Sequence, residues 1–161
     1  MHPKLARATS WLDHCVRWYI LVLMALLVIL TFTQVVARYV FKAPFTSTEE
    51  YTRLVLVWLT FMGAAMAVRL NRLVRIEVIE EHLPSSVRMF LNTFFDLVLI
   101  GLLSVIIVKG WEAVIVTDSQ VVAGTPLSYS AYTLSIFVGA SIMILYVSLR
   151  TLERLIGQRS R

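Results

Sequence analysis

The stretch 18-WYILVLMALLVILTFTQVVA-37 sets the architecture of the chain. It holds twenty residues without a single charge. At 1.5 Å per residue a helix of that length spans roughly 30 Å, the hydrocarbon thickness of a bilayer. Backbone groups in lipid must be satisfied within their own segment, so the run is a helix. Lys4, Arg7 and Arg17 precede it, as in a secretory leader, but the apolar run exceeds the roughly 7–15 residues of a leader's core. We read it as a retained span.

Three further runs share this character. Leu54 to Val68 gives 15 uncharged residues, Met89 to Val108 gives 20 broken only by Asp96, and Ala131 to Leu149 gives 19. The second run is short alone. Thr46-Ser47-Thr48-Glu49-Glu50 supplies an N-cap oxygen and acids that suit the positive end of a helix dipole, so this helix starts near residue 47. The expected spans are 18–37, 47–68, 89–110 and 131–149, forming one all-α, four-helix membrane domain over 1–161.

Composition agrees. Of the 161 residues 58% are hydrophobic and 16% charged, and mean hydropathy is +0.78. A soluble domain of this size leaves about 30% of its unfolded surface wet and cannot hide so much apolar area. The formal net charge of +5 does not point to nucleic acid, because the basic residues flank the apolar runs. The N-terminus, the connection between spans 2 and 3, and the C-terminus carry eleven Lys and Arg; the opposite side carries four, Arg38, Lys42, Arg53 and Lys109. This asymmetry places both termini in the cytoplasm.

The connection Leu70 to Arg88 is polar, with Ile76, Ile79 and Leu83 on one helical face; it reads as a short interfacial helix. The last loop, about Lys109 to Ser130, faces outward. Trp111 and Tyr129 serve it as headgroup-level anchors, and Gly124-Thr125-Pro126 turns the chain.

Groups able to carry chemistry are scarce. The single cysteine, Cys15, excludes an internal disulfide, and His2, His14 and His82 all lie outside the spans, so there is no intramembrane haem ligation. No phosphate loop and no metal-spaced cluster occurs, and no cofactor is expected. Asp96 is the one acid inside a span, about 10 Å deep if the helix enters lipid at Met89. It reads either as a proton or cation site or as a structural carboxyl bonded to a neighbouring helix. Glu49 and Arg53, spaced i,i+4 beside Glu50 and on the same side as Arg38, read either as a solvated pair or as a charged contact with another subunit. The small-residue pairs Gly63-xxx-Ala67 and Ser135-xxx-Gly139 read as close helix contacts, within the chain or against a partner.

The ordered series Arg38-Tyr39-Val40-Phe41, Pro44, Glu49-Glu50, Arg53 and Trp58-xx-Phe61-x-Gly63-Ala64 resembles the DctQ-type small membrane subunit of tripartite ATP-independent periplasmic (TRAP) transporters. Arg75-Ile76-Glu77-Val78, Leu83-Pro84 and Gly124-Thr125-Pro126 look like later parts of that family, so the resemblance covers nearly the whole chain. Thr46-Ser47-Thr48 stands where the family often carries a tryptophan.

The resemblance implies a non-catalytic scaffold in the bacterial inner membrane. Its partners would be a large DctM-type membrane subunit, which holds the substrate and sodium sites, and a periplasmic protein that delivers an organic acid. It makes Arg38, Glu49, Glu50, Arg53, Trp58, Gly63 and Ala67 candidates for the partner interface. Two other readings stay open at this point. One is a self-assembling proton-coupled exporter that uses Asp96; the other is a respiratory-complex membrane anchor.

Overall fold

The computed structural model describes residues 3–42, 46–70 and 85–158. They form four helices: α1 (Pro3–Tyr39), α2 (Thr46–Arg69), α3 (Ser85–Thr117) and α4 (Ser130–Gln158). Each contains a stretch long and apolar enough to cross a membrane, Trp11–Tyr39, Ser47–Arg69, Phe90–Thr117 and Ser130–Thr151. The all-α, four-span expectation holds. The interfacial helix expected between spans 2 and 3 lies outside the described residues.

Every helix outruns its apolar core. α1 begins at Pro3, where a missing N–H costs nothing because the first N–H groups of a helix have no intrahelical partner. α3 continues past Val108 to Thr117, and Lys109 pairs with Glu112 one turn on at 2.8 Å. Trp111, expected in the outer loop, therefore sits in α3, with its ring 5.4 Å from that of Phe137 on α4.

The α3–α4 loop is correspondingly short and ordered. Val122 N–H donates to Leu127 O at 2.8 Å and Tyr129 N–H to Gln120 O at 2.9 Å. Gly124 turns the chain at φ 78°, a left-handed conformation that glycine adopts without steric cost. Ser128 Oγ accepts the Ser130 N–H as α4 begins and donates to the Asp118 carbonyl just past α3. One hydroxyl thus finishes two helix ends.

Packing follows an open order. α1 lies against α2, α2 against α4, and α4 against α3, which leaves α1 and α3 at the two ends of the row. The core is Ala65 and Val68 from α2, Leu103 from α3, and Ala140, Met143, Tyr146 and Val147 from α4. Small side chains let α2 and α4 approach closely, the chief source of helix association where lipid tails are as apolar as leucine. A Cβ built on Gly139 would lie 2.7 Å from Phe61 Cβ, whereas one on Gly63 meets nothing within 4 Å. Of the two small-residue pairs singled out in the sequence, the one ending at Gly139 makes the contact within the chain. Gly63 stays open.

Candidate functional site

The polar side chains gather at the two ends of the spans. At the end where α1 leaves and α2 begins, Gln34 Nε2 donates to Thr48 O at 2.9 Å and also to Thr52 Oγ1, joining the two helices. Arg53 Nη1 donates to Glu50 Oε1 at 3.1 Å, and its Nη2 lies 3.6 Å from Glu49 Oε1. Glu50 is the better enclosed acid, with its side chain 18% exposed against 65% for Glu49. Tyr132 on α4 donates its hydroxyl to the Glu50 carbonyl at 2.9 Å, with the carboxylate 3.2 Å away. Ser47 Oγ donates to Gly124 O at 2.6 Å and fastens the α3–α4 loop to α2. The sequence-level corner of Glu49, Glu50 and Arg53 is therefore one connected cluster, anchored to α4 by a tyrosine the sequence did not mark.

Arg38 is not bonded into that cluster among the described residues. It lines a cleft with Glu49, Thr31, Gln34, Tyr39 and Thr48, but forms no ion pair among the described residues. Trp58 is turned into the fold. Its Nε1 donates to Ala131 O at 3.1 Å, and its ring meets that of Tyr19 edge-on at 6.2 Å. Replacing Trp58 by phenylalanine keeps the ring contact and loses the hydrogen bond. A loss of about 0.5–1.5 kcal/mol is expected in detergent unfolding measurements.

At the opposite end two ion pairs tie helices together, and sequence reading missed both. Arg69 Nε donates to the Asp13 carboxylate at 3.1 Å, and its guanidinium lies 5.8 Å over the Tyr146 ring, so one arginine binds α1, α2 and α4. Asp96 is buried on α3 and accepts from Arg150 Nη2 and, at 3.2 Å, from Thr151 Oγ1, both on α4. Asp96 thus has a basic partner that the sequence reading placed in the flank beyond the last span. Arg150 and Thr151 close that span, so Asp96 faces its end rather than its middle.

These groups define a class: a multi-pass, all-α membrane protein whose polar side chains fasten helices at the two ends of the spans. Among the described residues no group of three or more His, Cys, Asp or Glu could hold a metal.

Comparison with known proteins gives the family. Residues 27–157 match the DctQ component of tripartite ATP-independent periplasmic transporters. The chain belongs to this family, and it is a transporter component, a small permease subunit, not an enzyme. It is 34% identical over 89 residues to a TRAP transporter small permease protein of Haemophilus influenzae, an alignment spanning 55% of each chain. It is also 34% identical over 64 residues to the sialic acid TRAP transporter permease protein SiaT of the same species, over 40% of this chain and 10% of that one. The chain thus spans about half of one relative and a tenth of the other. Family membership replaces the exporter and respiratory-anchor readings.

Proposed function

We propose that this chain is the scaffold subunit of an ion-gradient-driven uptake system for organic acids in a bacterial inner membrane, with both termini in the cytoplasm. It holds a large DctM-type permease subunit, which carries the substrate and sodium sites, and receives a periplasmic solute-binding protein at the outer face. The family match over residues 27–157 carries the reading. The SiaT similarity supports pairing with a larger permease, because the matched stretch is a tenth of a chain named as a TRAP permease. The ends of the spans support a holding role, since polar groups there fasten helices and the core between them is apolar.

The partner-facing groups are Arg38, Glu49, Glu50 and Arg53 at the outer corner, with Gly63 and Ala67 offering small residues to a neighbouring helix. Trp58 acts from behind, by seating α2 on α4. Reversing Arg53 to glutamate would place three acids together at the corner. Isolated exposed pairs are worth only about 0.2–1 kcal/mol, so the isolated chain should keep its fold. Uptake should nevertheless fall by about tenfold or more, the equivalent of roughly 1.4 kcal/mol at an interface.

The decisive experiment tags the chain in its native membrane, crosslinks, and identifies what co-purifies, alongside uptake of labelled dicarboxylates and sugar acids in a strain lacking it. A large TRAP permease in the eluate and a lost uptake activity are expected. A chain that elutes alone, from cells whose uptake of every acid survives its deletion, would overturn the proposal.

A further inference from the structure

We infer that the cleft between α1 and α2 binds the headgroup of a membrane phospholipid, with the lipid phosphate on Arg38 and an amine on Glu49. The cleft has a volume of about 370 Å³, inside the range of roughly 300–1,000 Å³ usual for small-ligand sites. Its depth suits a lipid. The apolar stretch of α1 ends at Tyr39 and that of α2 begins at Ser47, so the mouth lies at headgroup level. Thr31, at the other end of the lining, is seven residues below Arg38, about 10 Å along the helix. A headgroup layer is about 5–7 Å thick on each side of the bilayer, so the cleft reaches past it to the first carbons of the chains. Its lining is charged at the mouth, with Arg38 and Glu49, and uncharged below, with Val35, Gln34 and Thr31 along the wall.

Charge argues for the same occupant. Arg53, Arg69 and Arg150 each hold a carboxylate of this chain; Arg38 holds none among the described residues. A guanidinium presents a planar fork that fits phosphate oxygens two at a time. Glu49 shares the cleft and is only loosely held by Arg53 at 3.6 Å, with most of its side chain exposed. One cation beside one carboxylate complements a zwitterionic headgroup that bears an amine, and disfavours one with a second negative charge. Gln34, bonded to Thr48 and Thr52, holds the walls at a fixed spacing, which lowers the entropy cost of filling the cleft. Exposed Tyr39, Val40 and Phe41 at the end of α1 supply the apolar and aromatic rim that favours the interface.

This inference rests on the membrane-spanning fold and uses two of the groups placed at the partner-facing corner above, Arg38 and Glu49, so lipid and protein retention are read separately. It is tested on whichever assembly the tagged chain brings down in mild detergent. Phospholipid retained per chain is counted by native mass spectrometry for the natural protein and for Arg38→Gln, Val35→Trp and Lys109→Gln. Val35→Trp fills the cleft while keeping the arginine, and Lys109→Gln removes a cation elsewhere in the molecule. The natural protein and Lys109→Gln are expected to retain an amine-bearing phospholipid that Arg38→Gln and Val35→Trp lose. Equal retention in the natural protein and Arg38→Gln would overturn the assignment. So would an Arg38→Gln variant that sheds a protein component while its lipid count stays unchanged, which would make the cleft a protein interface.

Discussion

Asp96→Asn is expected to lower unfolding stability in detergent by about 3–5 kcal/mol. That is the usual cost of breaking a buried ion pair by removing one partner, because the attraction that offsets the desolvation of the two charges is lost. Asp96 sits 4% exposed on α3 and takes hydrogen bonds from Arg150 and Thr151 on α4. Arg150→Leu should cost a similar amount, since it removes a cation that donates directly to the buried carboxylate. The exchanged pair, Asp96→Arg with Arg150→Asp, should recover part of the loss. The apolar pair, Asp96→Leu with Arg150→Leu, should lie nearer the natural protein than either single variant, because it leaves no charge to bury. Thermal unfolding followed by circular dichroism separates these cases. If Asp96 were a transport proton site independent of Arg150, Asp96→Asn would abolish uptake and leave the unfolding midpoint in place, and the exchanged pair would restore nothing.

How much of this was legible beforehand depends on which physical signal carried it. The four spans follow from hydropathy, since twenty uncharged residues in lipid have no alternative to a helix. Their ends do not follow. Counting stops at the first charge, while helical hydrogen bonding runs on through Lys109 and Glu112 to Thr117 and through Arg150 to Gln158. That error hid the partner of Asp96, because Arg150 was assigned to a flank. A signal was present all the same. Two antiparallel helices joined by a tight turn bring together residues equidistant from it. Asp96 and Arg150 lie almost equally far from Gly124, as Asp13 and Arg69 do from the α1–α2 connection. Reflection about the turn, applied to every charge, would have found both pairs. The rotation of each helix about its axis was not legible. Apolar residues encircle the membrane part of α2, so no polar face marks which side is buried, and Gly63 and Gly139 looked alike. Trp58 and Tyr132 were hidden for the same reason, as their hydrogen bonds depend on which way each helix is turned.

The second large effect tests that rotation directly. Gly139→Leu is expected to separate α2 from α4 and to cost at least about 3 kcal/mol, the upper end of ordinary overpacking. Even Gly139→Ala should be costly, because the added carbon would stand 2.7 Å from Phe61 Cβ and 3.3 Å from Phe61 O. Neither atom belongs to the free end of a side chain, so relief requires the helices themselves to move. Phe61→Ala removes the ring but keeps the offending Cβ, so alanine at 139 should be as damaging there as in the natural background. Phe61→Gly removes that Cβ, and there the added cost of Gly139→Ala should shrink sharply, leaving only the milder approach to the carbonyl. Gly63→Ala and Gly101→Ala meet open space and stand as controls, each expected to be neutral or stabilising by up to about 1 kcal/mol from helix propensity. A Gly139→Ala variant that unfolds at the natural midpoint would mean that α2 and α4 are not in contact at this point. The core of Ala65, Val68, Ala140 and Val147 would then have to be drawn differently.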